Sequence, residues 1–244
     1  MAQLSFHNNH NRSRELQDIV VQLFIKSQAL IFGEFQTKSG RNTPYFINTS
    51  RLYYGDHWSA LMDLFTEKIF QEYGPKIEGV FGPSYKGIPL AVSFAERWYH
   101  KTQKRIPFAF SRKEPKDHGE KGATVGSLQD VSGSAILLCD DVLTSGLSLG
   151  ESILFLRKQN VSLIGAMVTV DRQEQYIYDH GQDPQKKVSA NTGIFQEFGC
   201  RVPSLVSVTD IIKYLEATSE PNLRLHIHKI QDYQRKYGVP DKTN

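Results

Sequence analysis

Two adjacent carboxylates followed by a hydroxyl-rich glycine turn are the residues of this sequence best suited to chemistry. Asp140 and Asp141 come directly after the apolar run at residues 135–139, and the turn at residues 144–146 (TSG) follows them. The apolar run predicts a strand that is buried on both faces of a parallel sheet and ends at the acids. Apolar residues then recur at helical spacing to about residue 160. A helix start leaves backbone N–H groups free for an anion, so a phosphate in the turn and sugar hydroxyls on the carboxylates would fit. The alternative is that the acids only cap the strand end.

A second turn of similar character follows a short apolar strand predicted at residues 77–81. Its sequence, GPSYKG, places Tyr85 and Lys86 among small residues, ahead of a helix predicted to run to about residue 99. Such a turn could present backbone amides and one cation to a diphosphate, although a plain strand-to-helix loop would look the same. Another buried strand, at residues 163–170, is followed by Arg172, whose guanidinium suits a carboxylate.

Residues 112–126 (RKEPKDHGEKGATVG) have no apolar periodicity and contain three glycines. This segment is predicted to be either a solvated hairpin tip or a mobile lid that brings cations over a charged reaction centre and excludes water. In both interpretations the loop moves. Its cationic and histidine side chains are Arg112, Lys113, Lys116, His118 and Lys121.

Alternating strands and helices must position these segments. Helices are predicted at residues 14–30, 57–73, 210–218 and 221–237, strands at 106–110 and 205–208, a short strand and tight turn within 32–48, and an irregular polar excursion at 175–196. Lys38 and Arg41 flank the tight turn, where surface charges are the usual interpretation. The alternation predicts an α/β fold whose parallel sheet gathers the two turns and Arg172 on one rim.

Composition limits the class of protein. The 244 residues are 39% hydrophobic and 23% charged, as expected for a single globular domain over residues 1–244. A net charge of +3 suits small anionic substrates but is too weak and dispersed to indicate nucleic acid. No stretch approaches the ~20 apolar residues of a membrane span, and the polar N-terminus does not resemble a signal peptide. With only two cysteines, no disulfide framework is expected, and the predicted location is cytoplasmic.

The run AILLCDDVLTSGLS at residues 135–148 resembles the phosphoribosyl pyrophosphate (PRPP) motif of the type I phosphoribosyltransferases. The segments FGEF, TKSGR, PYF, GPSYKG, RKEPKDHGE, LLCDDVLTSG and VDRQE, in this order, look like the orotate phosphoribosyltransferase family over about residues 16–214. The resemblance implies the type I phosphoribosyltransferase fold: a central, mainly parallel sheet flanked by helices, with a small N-terminal hood formed mainly by residues 1–55.

The resemblance also implies an activity. The 5-phosphoribosyl group of PRPP would pass to orotate, giving orotidine 5′-monophosphate and pyrophosphate in de novo pyrimidine (UMP) biosynthesis. Mg²⁺ would be held mainly by PRPP or pyrophosphate, with no direct protein ligand. The enzyme would be a homodimer with shared active sites, in which the catalytic lid at residues 112–126 reaches the neighbouring subunit. Neither nucleic acid nor a membrane would be a partner.

Individual residues acquire implied roles in the same way. The ribose hydroxyls would meet Asp140 and Asp141, the 5-phosphate the turn at residues 143–148, and the pyrophosphate Lys86 and Tyr85. The implied PRPP contacts are Lys38, Tyr85, Lys86, Arg112, Lys113, Lys116, His118, Asp140, Asp141, Val142, Leu143, Thr144, Ser145, Gly146, Leu147 and Ser148. The implied orotate contacts are Phe46, Ile47, Thr144 and Arg172, and the implied catalytic residues are Lys113, Lys116, His118 and Asp141.

The sequence departs from the family pattern in two places, and two other functions remain as alternatives. Ile47 stands where many members have a second aromatic residue, and the excursion at residues 175–196 is longer than in short bacterial members, which predicts a surface insertion. One alternative is a phosphoribosyltransferase for another base, against which the Phe46 segment, the lid and Arg172 argue. The other is a non-catalytic regulator that keeps the fold, for which we see no appended DNA-binding segment.

Overall fold

The computed structural model describes residues 3–37, 40–116, 122–126, 135–178 and 187–239. The strands are β1 (Leu30–Gln36), β2 (Asn42–Ile47), β3 (Gly79–Gly82), β4 (Phe108–Lys116), β5 (Gly122–Val125), β6 (Ala135–Leu143), β7 (Ser162–Asp171) and β8 (Ser204–Ser207). The helices are α1 (Gln3–Lys26), α2 (Gly55–Tyr73), α3 (Gly87–Thr102), α4 (Leu147–Lys158), α5 (Ala190–Phe198), α6 (Val208–Ala217), α7 (Pro221–Arg224) and α8 (Ile227–Tyr237).

The centre of the molecule is a six-stranded sheet in the order β5-β4-β3-β6-β7-β8. Only the β4–β5 pair is antiparallel; β3, β4, β6, β7 and β8 pair in parallel. Leu137 and Cys139 of β6 pack into one hydrophobic core, and Ile136 and Leu138 into a second. Side chains alternate between the faces of a strand, so the unbroken apolar run reflects burial on both faces. The predicted α/β class with a mainly parallel sheet is confirmed.

Strands β1 and β2 form a separate antiparallel hairpin against which the C-terminal helix α8 packs. The ring of Tyr45 on β2 meets the ring of Tyr233 on α8 edge to face, with centroids 6.0 Å apart. The ring of Phe32 on β1 stacks on His226, just before α8, at 4.4 Å. The hairpin is therefore held by residues nearly two hundred positions away in the chain. The hood boundary at about residue 55 stays a prediction.

Several predicted boundaries are wrong. The strand predicted to end at Asp140 and Asp141 continues as β6 to Leu143, because it pairs with β7 as far as Asp171. Residues 112–126 begin as regular strand, since β4 reaches Lys116 and pairs with β5. Two antiparallel strands pair their backbone N–H and C=O groups with each other and need no apolar periodicity. The pattern of apolar residues therefore did not predict these strands. Residues 117–121 of the predicted lid lie outside the described residues.

The described residues of the polar excursion, 175–178 and 187–196, include more regular structure than predicted. Its last residues form α5, in which Ala190 and Ile194 are fully buried against the second core. Gln175 pairs with Ser189 in a short bridge.

The helix predicted at residues 221–237 is divided into α7 and α8 around His226, whose ring stacks on Phe32. Among the described helices, none has the length and apolar character that a membrane span requires.

Candidate active site

A cleft of about 400 Å³ opens where β6 and β7 end, between the β1–β2 hairpin and the start of α4. We call it the strand-end cleft. Its lining residues are Thr37, Phe46, Ile47, Lys86, Asp141, Val142, Leu143, Thr144, Ser145, Gly146, Leu147, Ser148, Leu149, Glu151 and Arg172. Twelve of these lining residues were predicted as site residues. The other three, Thr37, Leu149 and Glu151, were not predicted. Asp140, Tyr85 and Arg112 do not line it.

The two carboxylates at the end of β6 have different surroundings. The carboxylate of Asp141 accepts a hydrogen bond from the Thr49 hydroxyl at 2.9 Å, and its Oδ2 lies 3.9 Å from Nζ of Lys86. Asp140 accepts the backbone N–H of Asp141 at 2.9 Å. Burial, reinforced by the neighbouring charge of Asp141, raises the pKa of Asp140 to about 7. The pair therefore carries less than its full negative charge near neutral pH.

The turn after β6 presents unbonded amides to the cleft. The backbone N–H groups of residues 145–148 find no hydrogen-bond acceptor in the part of the chain that the structure describes. Gly146 makes this possible with φ at +86°, a left-handed conformation that side chains disfavour. The ring of Tyr176 covers the turn so closely that a Cβ at Gly146 would lie 2.4 Å from it. Free amides at the start of α4, supported by the helix dipole, make a site for an anion.

The backbone of the GPSYKG turn packs directly against the backbone of β6. A Cβ on Gly82 would lie 2.1 Å from the carbonyl oxygen of Gly87, and one on Gly87 would lie 2.6 Å from that of Cys139. This tight packing brings Lys86 to the cleft, where its Nζ donates to Oδ1 of Asn48 at 2.9 Å. The side chain of Tyr85 is 65% exposed.

Asn48 and Thr49 are site residues that the sequence interpretation missed. They follow β2 directly, and Asn48 caps a 3-10 turn at Thr49–Arg51 by accepting the N–H of Ser50. Through them the hairpin segment holds two charged groups of the cleft, Lys86 and Asp141. The available signal was their position immediately after the PYFI strand, at the start of a turn.

Arg172 is more enclosed than its position at a strand end suggested. Only 4% of the residue is exposed, Nε donates to Oε1 of Glu174 at 2.7 Å, and Nη2 donates to the Thr43 hydroxyl at 2.8 Å. Its guanidinium lies over the ring of Tyr45, 4.4 Å from the centroid. Burial alone would lower the pKa of Arg172, but Tyr45, Glu174 and Tyr233 outweigh it and raise that pKa, so the side chain stays charged. Within the described residues, Nη1 makes no hydrogen bond.

The segment proposed as a lid is attached to the GPSYKG turn. The N–H of Ser84 donates to the Ser111 hydroxyl at 2.9 Å, and the Ser84 hydroxyl donates to the Ser111 carbonyl. Nε of Arg112 donates to the carbonyl of Thr124 at 3.3 Å, across the β4–β5 pair. Lys113 and Lys116 lie on β4, but their side chains, together with all of Lys38, His118 and Lys121, lie outside the described residues. Their roles stay predictions.

Comparisons with known proteins show the family to which the chain belongs. The family model of the phosphoribosyl transferase domain matches residues 56–202. The chain is 36% identical, over 219 residues, to an orotate phosphoribosyltransferase of Photorhabdus laumondii, covering 90% of this chain and 96% of the relative. Identity to the enzyme of that name from Edwardsiella ictaluri is 35% with the same coverage. A crystal structure of orotate phosphoribosyltransferase from Francisella tularensis has 32% sequence identity and a TM-score of 0.71, covering 91% of this chain and 100% of that one.

Proposed function

The chain belongs to the orotate phosphoribosyltransferase family, and we propose that the strand-end cleft is where it transfers the 5-phosphoribosyl group of PRPP to orotate. The products are orotidine 5′-monophosphate and pyrophosphate, in de novo pyrimidine (UMP) biosynthesis. One observation supports this location above the others. Free amides, a carboxylate and the charged Arg172 line a single cleft, as a substrate with a phosphate, ribose hydroxyls and an anionic base requires.

PRPP occupies the part of the cleft between α4 and the GPSYKG turn. Its 5-phosphate binds the free amides of residues 145–148, and its ribose hydroxyls meet Asp141 and Asp140. The diphosphate extends toward Lys86, with Tyr85 and Lys38 as further contacts. The Thr49 hydroxyl donates to Oδ2 of Asp141 and the N–H of Val142 donates to Oδ1, so both oxygens are held in place and the sugar hydroxyls use their remaining lone pairs.

Orotate lies next to Arg172, with Thr144 and the backbone at Phe46 and Ile47 as its other neighbours. Two of the three guanidinium nitrogens of Arg172 already donate to protein acceptors. The carboxylate of orotate therefore binds at Nη1, the position with no protein partner in the described chain. Such a charge-assisted hydrogen bond is about twice as strong as a neutral one.

The reaction breaks the bond between C1 of the ribose and the diphosphate oxygen. N1 of orotate forms the new bond to C1 and releases its proton, which passes to the departing diphosphate or to water. Positive charge develops on the sugar, and the departing diphosphate gains negative charge. We assign the stabilisation of the diphosphate to Lys86 and to the lid residues Arg112, Lys113, Lys116 and His118. A single well-placed donor of this kind is worth ~3 kcal/mol of barrier. His118 contacts the diphosphate or supplies it with a proton.

Mg²⁺ fits this cleft as an ion that arrives on the diphosphate. Within the described residues, no group of three or more His, Cys, Asp or Glu side chains could hold a metal ion. Mg²⁺ is usually bound by substrate phosphates, water and few protein carboxylates, so we propose that PRPP or pyrophosphate holds it with no direct protein ligand. When bound, the ion would neutralise part of the charge on the leaving group.

We further propose a cytoplasmic homodimer in which the lid of one subunit completes the site of the other. Mixing two inactive variants, Lys113→Ala and Arg172→Met, tests the sharing. In a hybrid dimer both changes would fall in one site and leave the second intact, so activity would return on mixing. Equal mixtures without recovered activity would refute shared sites.

The activity itself is tested by the loss of orotate absorbance with purified protein, PRPP and Mg²⁺. We expect the loss to require all three components and to collapse in Lys113→Ala, while unfolding of that variant stays near wild type. Turnover of a purine or uracil instead of orotate would indicate a phosphoribosyltransferase for another base. PRPP binding without turnover of any base would indicate a regulator.

A further inference from the structure

Three charged side chains from distant parts of the sequence meet beside the orotate position. Nη1 of Arg41 lies 2.6 Å from Oε2 of Glu174, and Nε of Arg172 lies 2.7 Å from Oε1 of the same carboxylate. Glu174 is fully buried, and the side chain of Arg41 is only 12% exposed. We call these residues the Arg–Glu–Arg triad. The proposed reaction uses Arg172 alone and gives the other two residues no role.

The charge balance of the triad explains why Arg41 is needed. Glu174 orients Arg172, but a buried Arg172–Glu174 pair by itself would be neutral and would attract a carboxylate only weakly. Two guanidinium groups and one carboxylate leave one net positive charge. Arg41 therefore compensates Glu174, so that Arg172 is held in place while its charge remains available to the substrate.

Two aromatic residues of α8 complete the surroundings of the triad. The Tyr233 hydroxyl donates to Oε1 of Glu174 at 2.8 Å, and the guanidinium of Arg41 lies 5.3 Å from the centroid of the Tyr237 ring. Nη2 of Arg41 also donates to the Gln175 carbonyl at 3.3 Å. These contacts hold the Arg41 side chain in one position. They differ in this from the ion pairs of an exposed arginine, which contribute little to stability.

We propose that Arg41 is a positioning residue that acts through Glu174 and makes the base pocket prefer an anionic base. The inference rests on the proposed function, because it concerns the site at which orotate binds. It assigns to the Arg–Glu–Arg triad the discrimination in favour of a base that carries a carboxylate.

The test is steady-state kinetics of Arg41→Met, which removes the charge and keeps an unbranched side chain. We expect KM for orotate to rise about tenfold, which corresponds to ~1.4 kcal/mol, while kcat and KM for PRPP stay close to wild type. Arg41→Lys keeps the charge and should recover part of the orotate affinity. The matched control is Arg97→Met on α3, which also loses a 2.9 Å ion pair, to Asp63, from a largely buried side chain.

A second pair of variants keeps the test informative if Arg41→Met folds poorly. Tyr233→Phe removes the hydroxyl that donates to Glu174, and it should raise KM for orotate without changing KM for PRPP. Tyr73→Phe is its control, because that hydroxyl is also buried but donates to the carbonyl of Ala166 at 2.8 Å. Thermal unfolding of all variants separates loss of stability from loss of orotate affinity.

Distinct results would overturn the inference. An unchanged KM for orotate in both Arg41→Met and Tyr233→Phe would show that the triad does not prepare Arg172. Equal rises in KM for both substrates would show that Arg41 acts through the neighbouring turn instead. If the wild-type protein does not turn over orotate, both the proposed function and this inference are wrong. That outcome is recognised by the missing wild-type rate, whereas failure of the inference alone leaves the wild-type rate intact.

Discussion

The substitution Gly146→Ala probes the turn proposed to bind the 5-phosphate. Gly146 has φ at +86°, and an added Cβ would lie 2.4 Å from Cε2 and 2.6 Å from Cδ2 of the Tyr176 ring. Two separate penalties follow. The left-handed conformation costs ~1–2 kcal/mol for an L-residue with a side chain, and forcing a methyl group into a packed ring costs a further ~1–3 kcal/mol. The free energy of unfolding should therefore fall by ~2–5 kcal/mol.

Gly199 provides the matched control for this calculation. It also has a left-handed φ, +63°, but a Cβ there would meet nothing within 4 Å. Gly199→Ala should therefore lose only the conformational ~1–2 kcal/mol. The difference between the two variants measures the contact with Tyr176, because the conformational penalty is common to both.

Urea unfolding gives both free energies, and orotate turnover gives kcat/KM for PRPP. Since displacement of binding groups by about 1 Å can cost ~100-fold in rate, we expect Gly146→Ala to lose 10- to 100-fold in kcat/KM for PRPP and Gly199→Ala to lose almost none. Equal losses of stability in the two variants would refute the role of Tyr176. Unchanged kcat/KM in a folded Gly146→Ala protein would refute the assignment of the 5-phosphate to this turn.

Three further predictions concern single side chains of the site. The pKa of Asp140 is about 7 in the folded protein, whereas its ordinary value is 3.8. Between these two pH values the folded state keeps a proton that the unfolded chain releases. The free energy of unfolding should therefore fall by up to ~4 kcal/mol as pH rises from about 4 to 7. Asp140→Asn should remove this fall, which urea unfolding at pH 5 and pH 8 would show; a slope unchanged from wild type would contradict it. Thr49→Val should lower kcat/KM for PRPP about tenfold, since it removes a hydrogen bond to a charged group worth ~1.5 kcal/mol, and a wild-type value would argue against Thr49 holding Asp141. Ser84→Ala should speed hydrogen exchange at the start of β4, because it removes the hydroxyl that donates to Ser111; unchanged exchange there would show that this contact does not hold the strand.

The sheet and the central turn could be predicted because their signals are local. A strand buried on both faces has to be continuously apolar, and the residues that end it and open α4 are adjacent in the sequence. Polar strands carry no such signal. The β4–β5 hairpin depends on backbone pairing, and α5 is anchored by Ala190 and Ile194 within a segment whose average composition is polar.

Side-chain partners across the fold could not be predicted from the pattern. Arg41 was interpreted as a surface charge because its neighbours in sequence are a turn, yet it pairs with Glu174 at a separation of 133 residues. Asn48 lies 38 residues from Lys86, and Thr49 lies 92 residues from Asp141. A single sequence shows which residues could ionise, but the pairing that determines their charge and orientation exists only after the chain has folded.

Three side-chain hydrogen bonds that cross between the hairpin segment and the main sheet end on proposed substrate-binding groups. Asn48 holds Lys86, Thr49 holds Asp141, and Thr43 holds Arg172. The side chain of Arg172 is 4% exposed and that of Asp141 is 17% exposed, so undocking of the hairpin would remove hydrogen-bond partners from charged groups that are largely shielded from water. Docking of the hairpin and preorganisation of the cleft are therefore one event, and substrates that bind the cleft should stabilise the hairpin against opening.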